Sequence, residues 1–237
     1  MIVDFHNHVG IRVGKQQTGE DLVKAMDRAG VDKAVIFPFV ENPDNDYIAQ
    51  TVKKFPERMI GFACINPWLP GALDELQRSV KQLGLKGLKL HPLLHGYAID
   101  NHELVDAVFE TCEKLNIPII AHGAESLFTM PHAFEEMART FPGVRLIMAH
   151  AGFMYSSDQA IRAAKRNKNL YLDMTAATAW DVTHAVEEVE PTRVLMGSDT
   201  PFMYHEVEMK KVEMAISDPK VRKMVMGENA LRLLDML

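Results

Sequence analysis

The chain has 237 residues, of which 47% are hydrophobic, and a formal net charge of −6. That is enough material for one large core, and α/β barrels of this length commonly form a single domain. The acidic balance lacks the basic stripe of a nucleic-acid binder, and no run approaches the ~20 apolar residues of a membrane helix. The first expected strand is Ile2 to Val9, apolar at its start and polar at its end. A polar loop from Gly10 to Gly19 follows. Thr18 can cap a helix from Gly19 to Arg28, with Asp21 in the capping-box position. Lys33 to Phe39 reads as a buried strand, Asp44 to Phe55 as a helix, and Arg58 to Ile65 as a third strand. Pro70-Gly71 opens a helix that runs to Leu83-Gly84, and Leu85 to His91 is a fourth strand.

Asn101 caps the next helix, which ends near Leu115-Asn116. Pro118 to His122 is a fifth strand. Pro131 suits the first position of a helix that stops before Pro142-Gly143. Val144 to His150 is a sixth strand, and Ser156-Ser157-Asp158 caps a helix that ends near Asn167. Asn169 to Met174 is a seventh strand, followed by a helix that starts at Thr178 or Asp181 and stops before Pro191. Arg193 to Asp199 is the eighth. Helices over about His205 to Ser217 and Pro219 to Leu237 complete the chain. Eight alternations of strand and helix imply parallel strands and right-handed crossovers. The expected fold is therefore a (β/α)8 TIM barrel forming one domain over residues 1–237. An open doubly wound sheet is disfavoured, because no Gly-x-Gly-x-x-Gly turn follows the first strand.

The strand ends carry the chemistry. His6 and His8 lie a residue apart, and alternation along a strand puts them on one face. His91, His122, His150 and Asp199 each end a later strand. A parallel barrel gathers such ends at one mouth. Neutral imidazoles and a carboxylate suit Zn²⁺ or a similar ion, and an ion of that kind makes a nucleophile of bound water near neutral pH. Each group alone could be a hydrogen-bonded core residue. That explanation is poor for so many at successive strand ends.

Six pieces of the sequence resemble the amidohydrolase superfamily, specifically its amidohydrolase-2 branch of metal-dependent TIM-barrel hydrolases and decarboxylases. They are Asp4-Phe5-His6-Asn7-His8, Gly87-Leu88-Lys89-Leu90-His91-Pro92, Ala121-His122-Gly123, Ala149-His150-Ala151-Gly152, Gly197-Ser198-Asp199-Thr200-Pro201-Phe202 and Gly227-Glu228-Asn229-Ala230. The resemblance implies that His6, His8, His122 and Asp199 bind one divalent transition ion, Zn²⁺ first and Mn²⁺ as the alternative. It implies that Asp199 doubles as the general base and that His150 works beside the ion on water or substrate. Lys89 and His91 share a strand face and are expected as further metal ligands or as groups supporting the ligands. For Lys89 an ammonium paired with Asp4 or Asp173 is favoured over a carboxylated bridge between two ions.

The strand–helix loops carry Arg12, Leu93, His95, Tyr97, Phe128, Met130, Phe153, Tyr155, Trp180, Phe202 and Met203. Of these and His91, the residues expected to touch substrate are Arg12, His91, His95, Tyr97, Trp180 and Phe202, with Arg12 able to hold a carboxylate by a bidentate pair. The same apolar residues could instead face a second copy in a homo-oligomer. The partner expected is a small-molecule substrate, with no nucleic acid and no membrane. Cys64 and Cys112 are no disulfide framework and suit a reducing compartment. No basic n-region and long apolar segment follow Met1, so a cytoplasmic protein is expected. The first expectation for activity is hydrolysis of a small amide, ester or lactone. The alternative is nonoxidative decarboxylation of a small unsaturated or aromatic acid, which ranks second because cationic loop residues are scarce. A barrel that binds metal and ligand without chemistry ranks third, since it would be free to lose Asp199.

Overall fold

A computed structural model of the chain describes residues 1–123 and 127–237, apart from the side chain of Met154. Residues Val3–Arg12 form β1, and its second half departs from expectation. It turns back as an antiparallel hairpin onto β2, Lys15–Gln17, pairing Gly10 with Gln17, Ile11 with Gln16 and Arg12 with Lys15. The turn is Val13-Gly14, and Gly14 takes φ 73°, which glycine adopts without a Cβ penalty. So the expected polar loop is largely a two-residue hairpin. Helix α1, Gly19–Ala29, starts on the expected box: the Thr18 hydroxyl accepts from the Asp21 amide at 3.1 Å, and the Asp21 carboxylate accepts from the Thr18 amide at 3.2 Å.

The chain then runs through β3 (Lys33–Pro38), α2 (Asn45–Lys54), β4 (Met59–Gly61), β5 (Ala63–Cys64), α3 (Ala72–Lys81) and β6 (Leu88–Leu90). Next come α4 (Pro92–His95), α5 (His102–Leu115), β7 (Ile119–Ala121), α6 (Pro131–Thr140) and β8 (Leu146–Met148). It ends with α7 (Phe153–Arg166), β9 (Leu170–Asp173), α8 (Ala179–Glu188), β10 (Val194–Leu195), α9 (His205–Ala215), α10 (Pro219–Lys223) and α11 (Asn229–Leu233). The third expected strand is divided at Phe62. Its first half, β4, pairs with β3 and its second half, β5, with β6, so one strand serves two neighbours in turn. Helix α7 begins three residues before the expected Ser156 cap and bends there, with φ −138° and ψ 20°. The last expected helix is interrupted between α10 and α11. There Gly227 passes so near the chain's first residue that a Cβ would lie 2.4 Å from the Met1 carbonyl oxygen. Short helix α4 has no counterpart among the expected elements; Pro92 opens it and Gly96, at φ 73°, closes it.

Parallel pairing runs from β1 through β3 and β4, and from β5 through β6, β7, β8 and β9 to β10. The ring closes between the eighth strand and the first. The Phe5 amide donates to the Met196 carbonyl at 2.9 Å, the Asp199 amide to His6 at 2.7 Å, and the His8 amide to Thr200 at 2.8 Å. With β4 and β5 as one strand, this is a closed (β/α)8 TIM barrel. Val3, Phe5, Val35, Phe37, Ile60, Phe62, Ile120, Ile147 and Leu195 pack together as its interior, with Leu231 and Leu233 of α11 against them. Among the described residues no helix is long and apolar enough to cross a membrane.

Arg193 shows how the seam's approach is anchored. It is buried, and its Nη1 donates to the carbonyls of Ala164 (2.6 Å), Asn167 (2.9 Å) and Leu170 (2.9 Å), where α7 ends and β9 begins. The first two carbonyls lie at the negative end of the helix. Arg193→Met removes the charged donor they share and should cost about 3 kcal/mol, read as a lowered denaturation midpoint. Arg193→Lys should recover part of it. An unchanged midpoint in the Met variant would mean that water replaces the guanidinium.

Candidate metal centre

The site begins with an irregularity in β1. Asp4 pairs with Ala34 but Asn7 pairs with Ile36, so β1 carries one residue more than β3 over this stretch. In a regular strand Phe5 and His6 would face opposite sides. The bulge lets Phe5 fill the barrel while His6 and His8 crown it. Their rings are then fixed from behind. His6 Nδ1 is 2.6 Å from Asp173 Oδ2 at the end of β9, and His8 Nδ1 is 3.2 Å from the Pro38 carbonyl oxygen. Both partners are acceptors, so each Nδ1 carries the proton and each Nε2 presents a lone pair to the cavity. Asp199, at φ 57°, turns its carboxylate into the same space. Its Oδ1 lies 3.4 Å from His6 Nε2 and 3.3 Å from His8 Nε2.

Three donor atoms, all within 4.8 Å of one another, thus converge lone pair against lone pair. Such a cluster is repulsive unless something positive shares it. Two imidazole nitrogens and a carboxylate oxygen suit a divalent first-row ion, with further positions open. The donor chemistry therefore fits the expected ion. One neighbouring cation is already in place. Lys89 points into the barrel with Nζ 3.2 Å from His6 Nε2 and 4.6 Å from the centre of the Phe37 ring. The expected partners of Lys89 are committed elsewhere: Asp173 to His6, and Asp4 to His205 Nδ1 at 2.6 Å.

Asp4 ties the two sides of the seam together. Its Oδ1 accepts from the amides of His6 and Ser198 and from the Asn7 side chain, each at 3.0 Å. The remaining histidines form one wall. His91 and His122 stack face to face with centroids 4.1 Å apart, and His150 meets His122 at 4.8 Å and His6 at 5.0 Å. His150 follows β8 in a left-handed conformation, φ 62°, rather than in the extended register the sequence suggests. Its Nδ1 is buried and has no hydrogen-bond partner among the described residues.

Burial, followed by the positive charge of Lys89, holds His6 well below the usual imidazole range. Burial and the neighbouring rings do the same for His150 and His91. These rings are neutral, the form that ligates a metal. Burial opposes ionisation of Asp199, and positive charge on the neighbouring imidazoles would outweigh it and hold the carboxyl below the usual carboxylate range. Burial pushes the Lys89 amine down to about 8, against the pull of Asp199 and Asp173.

His6, His8, Lys89, His91, His122, His150 and Asp199 all line one cavity of about 640 Å³ at the strand ends, and so do Arg12 and Phe202. Three residues expected at the mouth do not line it. Tyr97 is buried in the core, His95 turns its Nε2 to the Val40 carbonyl at 2.8 Å, and Trp180 stands on the exposed start of α8. Of the other loop candidates Phe153 and Met203 line the cavity, whereas Leu93, Phe128, Met130 and Tyr155 do not. The sequence reading missed Phe39, Val40 and Glu41 after β3, and Leu94 and Ala176. The second strand ends on apolar residues, so a search for polar strand ends passes over it. Asp173 does end a strand on an acid, a signal of the same kind as Asp199.

A family model described as amidohydrolase matches residues 12–236. The chain belongs to the amidohydrolase-2 family. The matched span begins after His6 and His8, so that pair rests on the geometry above. Among curated relatives, 4-sulfomuconolactone hydrolase of Rhizobium radiobacter is 25% identical over 205 residues, 77% of this chain and 65% of its own. Gamma-resorcylate decarboxylase of Polaromonas sp. (strain JS666) is 26% identical over 214 residues, 67% of this chain and 64% of its own. The chain spans less than two thirds of the length of either relative. An uncharacterised TIM-barrel protein of Bordetella bronchiseptica superposes with TM-score 0.84 at 18% identity, covering 99% of this chain and 98% of that one. A dihydroxybenzoic acid decarboxylase of Polaromonas sp. JS666, solved with manganese and the inhibitor 2-nitroresorcinol, gives 0.80 at 17% identity, covering 99% and 97%. These likenesses establish the shared barrel.

Two outcomes follow for this amidohydrolase-2 site. Asp173→Asn replaces the charged acceptor that sets the His6 tautomer with a weaker amide that can also present its N–H group. It should weaken divalent-ion binding by about 10- to 100-fold, measured by competition with a chelating dye, while leaving the far-ultraviolet circular dichroism unchanged. Unchanged affinity would mean that His6 needs no orienting partner. The second outcome concerns pH. His6, His91 and His150 titrate near 6.5 when unfolded and lower when folded, so below about pH 6.5 the unfolded chain binds more protons. Stability present above that pH is therefore lost as pH falls. Thermal melts of metal-free protein should drop steeply between about pH 7 and pH 5, and His91→Gln should flatten the drop.

Proposed function

We propose that the protein is a metal-dependent nonoxidative decarboxylase acting on a small aromatic or unsaturated carboxylic acid. The supporting observation is the shape and lining of the single cavity that holds the candidate ligands. Phe39, Phe153 and Phe202 wall it, and the stacked His91 and His122 add a flat polar face. Such walls suit a planar ring standing on the floor formed by His6, His8 and Asp199. The preference for hydrolysis read from sequence rested on scarce cationic loop residues. In the folded chain Lys89 and Arg12 reach the same cavity as the imidazoles, which weakens that objection.

His6, His8 and Asp199 are assigned to one Zn²⁺ or Mn²⁺ ion. His122 is the fourth protein group proposed for it, standing beside the triad against His91 and His150. When bound, the ion supplies a Lewis acid for a substrate oxygen. Lys89 adds positive charge beneath it. Loss of CO₂ breaks the carbon–carbon bond and leaves its electron pair on the ring carbon, which must take a proton. His150 is assigned to that step. Burial makes its imidazolium a strong acid, an entering anion favours the protonated ring, and solvent restores the proton after turnover. The aromatic walls exclude water from the carbon as its negative charge builds.

Hydrolysis of a lactone is the second reading. It is favoured by the sulfomuconolactone hydrolase relative, whose match covers the larger share of this chain. In that case Asp199 accepts the proton of the attacking water. Metal-replete protein assayed against dihydroxybenzoic acids, lactones and esters decides between them. CO₂ release is the expected result, and lactone opening without CO₂ from any acid would overturn the proposal. His150→Asn should keep its metal and lose about 10²-fold or more in kcat. Loss of the metal with turnover intact in the loaded fraction would make His150 a ligand instead.

A further inference from the structure

The hairpin that replaces the expected loop carries two cations to the cavity mouth. Arg12 and Lys15 are direct partners across β1 and β2, so their side chains leave the same face of the hairpin. Both rest on one ring: the Arg12 guanidinium carbon lies 5.3 Å, and the Lys15 Nζ 4.7 Å, from the centre of Phe202. Phe202 in turn meets the His8 ring at 5.6 Å. The cations therefore stand about one aromatic ring away from the metal triad. A single carboxylate answers them. Glu41 Oε1 holds Arg12 Nη2 at 2.8 Å, which fixes that guanidinium and leaves its other N–H groups for a ligand. Lys15 has no carboxylate partner among the described residues. The rim thus carries an uncompensated positive charge on a side chain already drawn over the cavity wall.

Building on the decarboxylase reading, we infer that Arg12 and Lys15 form a second anion subsite and that the substrate is a dianion. One acidic group reacts on the floor. The other, a carboxylate or sulfonate at the far end of the ring, is held at the rim by charge-assisted hydrogen bonds from Arg12 and Lys15. A simple mono-acid fills the floor and leaves the rim unanswered. Gln17 holds the hairpin in place. It is buried and donates from Nε2 to the His8 carbonyl at 2.8 Å, so the rim moves with the strand that bears the ligands.

Benzoate and isophthalate (benzene-1,3-dicarboxylate) share a ring and differ by the second acid. Calorimetric titration of manganese-loaded protein with each measures the preference. Isophthalate should bind at least ~10-fold more tightly, as expected for added charge-assisted contacts, and the preference should shrink as ionic strength rises. Arg12→Gln with Lys15→Gln should bring the ratio near one by weakening isophthalate far more than benzoate. Lys53→Gln, on the distant face of α2, should leave the ratio intact and so rule out a general charge effect. A ratio near one in the parent, or a preference that survives the double substitution, overturns the dianion inference. The decarboxylase reading is tested separately, by CO₂ release from dihydroxybenzoic acids. If neither benzoate nor isophthalate binds, the dianion inference falls whatever that assay shows.

Discussion

The pairing of the last barrel strand with the first is the contact on which the rest depends. The Asp199 amide donates to the His6 carbonyl across that seam, so the bond that closes the barrel joins two candidate ligands through the backbone. Asp4 reinforces it by accepting from the amides of both His6 and Ser198. Fold closure and site assembly are therefore one event. A chain whose eighth strand strayed would lose its interior packing and its donor cluster together. This is a stricter coupling than loops alone could provide, because loop residues can drift while a closed ladder of hydrogen bonds cannot.

At and below the cavity the chain buries Asp4, Asp173, Lys89 and five histidines. Isolated charges there would be costly, and what makes the burial tolerable is partnership. Asp173 faces His6, Asp4 faces His205 and two amides, and Lys89 lies between His6 and the face of Phe37. Each pairing fixes a ring or a strand end. The cost of burial is offset by groups that also set the tautomer and direction of the atoms meant for the ion. The left-handed conformations of His150, Ala176 and Asp199 belong to the same arrangement. Strain is concentrated where the strands end and the reacting atoms must be aimed.

Much of this is legible in the sequence. Strand ends bearing His6, His8, His91, His122, His150 and Asp199 can be read from apolar runs that stop on a polar residue, and the barrel from eight alternations. The Thr18–Asp21 cap forms as its pattern requires. What stays hidden depends on departures from period. A regular strand cannot turn Val3 and Phe5 to the same side as His6 and His8; only the extra residue reconciles them, and no side chain announces a bulge. The hairpin is hidden because Val13-Gly14 is not one of the strong turn dipeptides. Tyr97, His95 and Trp180 are misplaced by a sequence reading because loop side chains follow no repeat. Their direction is set by which neighbours accept them, as the Val40 carbonyl accepts His95.

The hairpin also separates two kinds of evolutionary change. The bulge and the seam make the floor intolerant, since an insertion or deletion there would rotate the imidazoles out of the cavity. Val13 and Gly14, by contrast, project at a solvent-exposed tip. Substitution, lengthening or an introduced charge in those few positions would rewrite what the mouth admits while leaving the reaction centre untouched. The protein thus holds its chemistry and its selectivity on one strand, but in segments that can diverge at different speeds.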